Sequence, residues 1–255
     1  MSVQTRLPRL PTLPTLPRLP RLRVLPQQCE VCRRWGSAAL CADCVGRYAA
    51  ARPRCACCGI SLGLATSRCG DCLRDAPPFS HTVCAADYGF PWDGLIGAFK
   101  FQGRPELAGL LAERLALAVQ QALQSEALPW PDLVLPVPLS PRRLVERGYD
   151  QAWELARRVA RRLQLPAEAR LLQRPIDTLQ QSGLGRVERQ RNLRTAFMAD
   201  PTRRALLQGR RVALVDDVMT TGATVREASA VLLRAGAAAV DLWVLARTPD
   251  SVAAA

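Results

Sequence analysis

From about residue 84 onward, short apolar runs alternate with segments whose apolar positions recur every three to four residues. The runs Leu133 to Leu139, Val212 to Val215 and Val240 to Leu245 are largely apolar and short, the pattern of parallel strands buried on both faces. Between them, Ala152, Leu155, Ala156, Val159, Ala160 and Leu163 share one face of a predicted helix, and Arg157, Arg158, Arg161 and Arg162 fall largely away from it. Val225, Ala228, Leu232 and Ala235 repeat the spacing in a second helix. Strands alternating with helices predict an α/β domain with a mostly parallel sheet over 84–249. Residues 27–76 show no periodic core.

Residues 1–26 follow a third pattern. Leucine recurs at every third position from Leu7 to Leu25, and Pro8, Pro11, Pro14, Pro17, Pro20 and Pro26 follow most of these. Three is the period of a polyproline II helix, and proline removes the amide donors that an α-helix or sheet needs. The segment is expected to be an extended, disordered tail, either a neutral extension or an arm for a partner or acidic surface.

The segment lacking a periodic core is rich in cysteine. Eight cysteines form four C-x-x-C pairs: Cys29/Cys32, Cys41/Cys44, Cys55/Cys58 and Cys69/Cys72. One such turn aims two thiolates at one metal, and two turns complete a tetrahedral site. Sequential pairing gives two all-cysteine, structural zinc sites; interleaved pairing and iron–sulfur ligation are open alternatives. Disulfides need an oxidising compartment, and the N-terminus has no continuous apolar stretch of the secretory kind. No uncharged apolar run reaches the roughly 18 residues of a membrane span. A cytoplasmic protein is expected. Cys57 and Cys84 are left over and read as small buried residues.

Charge narrows the partners. Over 255 residues the formal net charge is +13. Two zinc-bound cysteine tetrads would lower it by about 4, leaving a basic chain suited to phosphates, nucleic acid or acidic surfaces. Lys100 is the sole lysine among 35 basic residues. Codon bias accounts for the arginines; a need for a compact ammonium would account for the exception. His81 is the sole histidine, which excludes any two-histidine mechanism, and it stands outside every motif.

The most informative stretch runs from Val212 to Thr224, V-A-L-V-D-D-V-M-T-T-G-A-T. An apolar strand ends in Asp216 and Asp217, a small hydroxylated turn follows, and a helix begins. Free amides and the dipole at a helix start favour phosphate. Thr220, Thr221 and Thr224 can add hydroxyl donors, and Gly222 admits close backbone approach. Adjacent carboxylates beside a phosphate call for hydroxyls or a cation, which a sugar diol and a magnesium ion would supply.

This segment resembles the phosphoribosyl pyrophosphate (PRPP) signature of type I phosphoribosyltransferases. The resemblance implies that Asp216 and Asp217 hold the ribose hydroxyls and that Thr220, Thr221, Gly222, Ala223 and Thr224 cradle the 5′-phosphate. More narrowly, residues 29–248 resemble the ComF family. The resemblance rests on the double cysteine module, Ala98-Phe99-Lys100-Phe101, Pro136-Val137-Pro138-Leu139, Arg143 to Gln151, and Gln181-Ser182-Gly183-Leu184 through Arg189, Arg191 and Asn192. Asp150 stands where that family often carries Asn. The implied fold is a type I phosphoribosyltransferase domain behind a double zinc ribbon. Val137, Pro138 and Leu139, with Arg143 and Arg147, would then bind pyrophosphate. The polar segment from Thr178 to Thr195 would form a hood, with Gln181, Arg186, Arg189 and Asn192 reaching pyrophosphate or acceptor. Lys100, Arg186 and Arg189 are the candidate catalytic residues, with magnesium accompanying PRPP.

Family members are associated with natural competence and uptake of single-stranded DNA. Two function classes follow: a phosphoribosyltransferase with an unidentified acceptor, or a non-catalytic PRPP-sensing or single-stranded-DNA-binding adaptor that docks a DNA translocase. The missing general base leans slightly against the enzyme. The aromatic count, 5 Phe, 5 Trp and 3 Tyr, leaves base-stacking platforms inconspicuous.

Overall fold

In a computed structural model, residues 26–63, 66–125, 128–175 and 196–249 are described. The predicted tail therefore lies outside them except for Pro26, and so does the predicted hood with Gln181, Arg186, Arg189 and Asn192.

Among the described residues the sheet has four strands: β3 (Thr82–Asp87), β4 (Leu133–Pro136), β7 (Arg211–Met219) and β8 (Ala239–Arg247), in the order β3-β8-β7-β4 and all parallel. The apolar runs are these strands, and they extend beyond the runs where the pattern turns polar: β7 continues through both aspartates, and β8 reaches Arg247. The stretch after Pro136 leaves the sheet, because the prolines at 136 and 138 cannot donate ladder bonds. Val137 still donates its N–H to the Val215 carbonyl at 2.8 Å.

Alternate side chains of the strands enter two cores. Val134, Ala213, Val215, Trp243 and Leu245 face α3 (Trp92–Phe101), α4 (Leu107–Gln124) and α6 (Gln151–Leu163). Leu133, Leu135, Val212, Leu214, Leu242 and Val244 face α7 (Ala223–Arg234). Both faces of the sheet are covered, completely over its apolar centre and less so along the edge strand β3, where Val83 and Ala85 are half-buried. Every apolar position predicted for α6 is buried, and so are those of the second helix.

The cysteine module contributes a two-stranded ribbon, β1 (Gln27–Gln28) with β2 (Trp35–Gly36), and two short helices, α1 (Ala42–Tyr48) and α2 (Gly70–Arg74). It is seated on the domain at two places. Cys29, Leu40 and Cys44 join the first core, where the Trp92 indole donates to the Tyr48 carbonyl at 2.7 Å. The 55–59 turn lies against β3, where Thr82 donates its amide to the Ala56 carbonyl and its hydroxyl to that of Cys57. Gly59 must be glycine there: its φ is +70°, and a Cβ would stand 2.4 Å from the Cys84 sulfur. The remaining elements among the described residues are α5 (Pro141–Arg147), a 3-10 turn at Arg204–Leu207 and a small antiparallel pair, β5 (Leu172–Gln173) with β6 (Met198–Ala199).

Candidate functional site

The C-terminal ends of β4 and β7 lie side by side, with Pro136 in register with Val215. Crevices beyond the carboxyl ends of parallel strands are where open α/β sheets hold ligands. Here β4 delivers Val137, Pro138 and Leu139, and β7 delivers Asp216 and Asp217. The predicted pyrophosphate and ribose segments are therefore neighbours.

Past Met219 the chain turns through Thr220 and Thr221, both exposed, into α7. Gly222 caps that helix with a left-handed φ of +78°, and a Cβ on it would stand 2.7 Å from the Met219 methyl. Gly222 offers no side chain to cap the helix; the Ala223 amide donates to the Thr221 hydroxyl at 3.4 Å, and the exposed helix start faces the crevice end as a place for an anion.

Lys100 comes to this place from α3. Its ammonium lies 2.7 Å from a carboxylate oxygen of Asp217, with 16% and 9% of the two side chains exposed. Alternation along β7 explains the choice of partner: Ala213 and Val215 face the α3 side, and Asp217 continues their row. Asp216 accepts the amide of Asp217 at 2.8 Å. Burial, then the charge of Asp217, pushes the Asp216 carboxyl up to about 8, against a smaller opposing effect of Lys100.

The motif from Arg143 to Gln151 works as a turn between helices. Ser140 caps α5 and Pro141 opens it; Gly148 closes it with a φ of +76°. Asp150 caps α6 by accepting the Trp153 amide at 2.9 Å, a task that Asn performs equally well. Burial raises the Asp150 carboxyl above its ordinary value. The Tyr149 hydroxyl donates to the Phe99 carbonyl and so ties this turn to the helix that carries Lys100. A cleft of about 460 Å³ opens between them, lined by Lys100, Phe101, Gly103, Arg143, Glu146 and Arg147. Arg147 lies over the Phe101 ring at 5.0 Å and donates to the Gln151 amide oxygen at 2.9 Å.

The eight paired cysteines form two clusters, Cys29/Cys32/Cys41/Cys44 and Cys55/Cys58/Cys69/Cys72, with ligand atoms within 4.8 Å of one another in each. Pairing is sequential. Both clusters join a knuckle to a helix start, Cys41 and Cys69 being the caps of α1 and α2. The Cys41 amide points at the Cys29 sulfur at 3.4 Å, and that of Cys69 at Cys55 at 3.3 Å. Although burial opposes it, such backbone donors bring Cys29 down to about 6 and Cys55 to about 7. Burial pushes Cys44 up to about 12 and Cys58 to about 11. Four thiolates cannot share so small a space without a cation. A metal–sulfur bond of about 2.3 Å gives tetrahedral sulfur–sulfur edges of roughly 3.8 Å. Cys32 to Cys41 and Cys58 to Cys69 measure 3.6 Å each. The donors therefore fit one tetrahedral metal ion per cluster, whereas a multi-iron cluster spreads its thiolates further apart. Cys57 and Cys84 are both buried, as expected, and burial pushes Cys84 up to about 12.

His81 stands at the opposite end of the sheet, where its ring bonds the buried Asp241 at 2.9 Å beside Arg211. It is structural. Two residues that sequence reasoning passed over are Tyr149 and Arg247. Arg247 is 7% exposed and donates to the carbonyls of Met219, Thr220, Thr248 and Cys58. Tyr149 lies within the Arg143 to Gln151 motif without a role of its own there, and a basic residue closing an apolar strand was the only trace of Arg247.

A parallel sheet carrying this strand–turn–helix, behind two tetracysteine ribbons, defines a protein of the type I phosphoribosyltransferase fold with a double zinc-ribbon module. The family model of the phosphoribosyl transferase domain matches residues 150–254. DNA utilization protein YhgH of Salmonella typhi is 36% identical over 230 residues, 88% of this chain and 98% of that one. Competence protein F of Haemophilus influenzae is 37% identical over 195 residues, 76% and 85% of the two chains. The chain belongs to the ComF family. Among solved structures, glutamine PRPP amidotransferase from B. subtilis aligns at 23% identity over 56% of this chain and 26% of that one, with a TM-score of 0.34, a likeness too distant to bear on the fold.

Proposed function

We propose that the chain binds PRPP with magnesium at the C-terminal ends of β4 and β7 and transfers phosphoribose to an acceptor, in the service of DNA uptake or nucleotide metabolism in the cytoplasm. One observation carries this reading: Lys100 meets Asp217 where the strand runs directly into the turn that opens α7. The 5′-phosphate sits on the amides and hydroxyls of residues 220–224, and the ribose diol bonds Asp216 and Asp217. Val137, Pro138 and Leu139, with Arg143 and Arg147, take the pyrophosphate. Magnesium supplies charge neutralisation of the leaving pyrophosphate.

In this reading Lys100 is the resident counterion of the acidic pair. When the diol arrives and donates to the carboxylates, the ammonium can turn toward pyrophosphate as the C1′–oxygen bond breaks. The acceptor's electron pair forms the new bond at C1′, and its proton leaves with solvent or product. Preorganised charge lowers the barrier by stabilising the cationic sugar and its leaving group. Zinc in each cysteine tetrad would be structural, since all four ligand positions are protein thiols.

The second reading is a PRPP-sensing or single-stranded-DNA-binding adaptor that docks a translocase. Phe101 favours it. The ring is 73% exposed at the rim of a cleft with Lys100, Arg143 and Arg147, and an exposed ring among cations is a stacking surface for bases. The names of the relatives, DNA utilization and competence, point the same way. Asp217→Asn, measured by PRPP calorimetry beside circular dichroism, tests the common core. Lost binding in a folded protein supports the site, and unchanged affinity removes it. Pyrophosphate release on adding nucleobases or oligonucleotides then separates enzyme from adaptor.

A further inference from the structure

Arg247 is a buried cation with no carboxylate partner among the described residues; backbone carbonyls satisfy it instead. One terminal guanidinium nitrogen directs its two hydrogens at the Thr220 and Thr248 carbonyls, at 2.6 Å each, and shares one with the Met219 carbonyl at 3.3 Å. Its Nε donates to Cys58 at 3.1 Å. Cys58 belongs to the second thiol cluster, while Met219 and Thr220 begin the turn into α7.

The peptide unit is planar and trans, so its C=O and the following N–H point in opposite directions. The Thr248 amide also holds the Met219 carbonyl, at 3.0 Å, whereas the Thr220 carbonyl is drawn to Arg247; this turns the amides of Thr220 and Thr221 away from the guanidinium. Those two amides are among the donors that a phosphate on this turn would use.

The other end of the link is equally constrained. The Cys55–Gly59 turn is stitched to the sheet by Thr82 and by Arg54, which donates to the Gly59 carbonyl at 3.1 Å and the Asp87 carboxylate at 2.7 Å. Asp87 is in register with Arg247 on the neighbouring strand. A shift of the Cys58 carbonyl cannot be absorbed by loose chain and must pass to the guanidinium.

We propose that Arg247 is a positioning residue that couples metal occupancy of the second cysteine cluster to the shape of the phosphate-binding turn. The ligand part of the idea rests on the PRPP reading; the coupling itself does not. The metal at Cys55/Cys58/Cys69/Cys72 is thereby more than a local staple. It holds the turn in its anion-binding form, and the first cluster does not.

The experiment is amide hydrogen exchange on the full chain, with zinc content and PRPP affinity measured on the same samples. Arg247→Met should speed exchange at residues 219–222 and weaken PRPP by about tenfold or more, while amides 212–215 in the same strand keep their protection. Arg247→Lys, which keeps the charge but loses the fork, should fall between. Cys72→Ser should reproduce the loop exchange, Cys44→Ser should not, and Cys72→Ser should add little to Arg247→Met. Unchanged exchange at 219–222 in Arg247→Met, or equal responses to the two cysteine variants, overturns the coupling. If the wild-type protein binds no PRPP but the exchange pattern is as described, the coupling stands and the PRPP reading falls.

Discussion

Removing the ammonium at position 100 isolates the electrostatic centre of the site. In Lys100→Met the apolar stem is kept, and Asp217 loses its 2.7 Å partner while remaining beside Asp216. Stripping one partner from a buried ion pair typically costs about 3–5 kcal/mol. With 16% and 9% of the side chains still exposed, the lower end applies here, about 3 kcal/mol. For a domain of this size that lowers Tm by about 6–12 °C.

The loss must depend on pH. The carboxyl of Asp216 is pushed up to about 8, with Lys100 pulling the other way. Below that pH Asp216 carries a proton and the pair has one negative charge. Above it Asp216 ionises, and the ammonium is needed most. The destabilisation should therefore grow from pH 6 to pH 9 and be largely absent in Lys100→Arg. Urea unfolding of the wild type and both variants at the two pH values is the assay. A loss below about 1 kcal/mol at pH 9 would place the pair among ordinary surface bridges and refute the reasoning.

Asp216→Asn should respond in the opposite sense. A carboxyl raised from 3.8 to about 8 on folding contributes stability that is fully present below 3.8 and lost as pH rises through 8. The variant should accordingly be the more stable one above pH 8, with a flatter thermal profile; a profile that tracks wild type would show that this carboxyl is not buried as described. Gly222→Ala meets a φ of +78° and a Met219 contact at 2.7 Å, and should cost about 1–2 kcal/mol with a larger loss of PRPP affinity, read by calorimetry beside thermal unfolding. Elemental analysis should find two zinc ions per chain, with Cys44→Ser and Cys72→Ser each retaining one; iron absorbance or a single ion would reject the tetrahedral assignment. Chelation should release residues 27–76 to proteolysis while the sheet stays protected, and one cooperative loss of both would make them a single folding unit.

What the sequence disclosed were the features that are local in the chain. The run from Val212 to Thr224 contains its own strand, carboxylates, turn and helix start, and the C-x-x-C spacing contains its own metal geometry. β4, β7, β8, α6 and α7 followed from periodicity for the same reason, whereas β3, α3 and α4 were not read from it. The residues that converge from a distance were harder to read. Lys100 was conspicuous as the sole lysine, but its partner among the acids is set by side-chain alternation along β7 and by the packing of α3. Arg143 and Arg147 read as simple phosphate ligands, yet Arg147 is held by Phe101 and Gln151 at the rim of the cleft. Tyr149 and Arg247 bond backbone carbonyls, which leave no mark of identity in a sequence. The sequential pairing of the cysteines also needed the fold, because spacing alone permits interleaving.

The central claim is that the end of β7 and the start of α7 form a PRPP site. Calorimetric titration of the full-length, zinc-replete protein with PRPP, with magnesium and then with EDTA, tests it most directly. Saturable one-to-one binding in magnesium that collapses on chelation, before zinc is lost, is the predicted result. No heat at millimolar PRPP in either condition would contradict it.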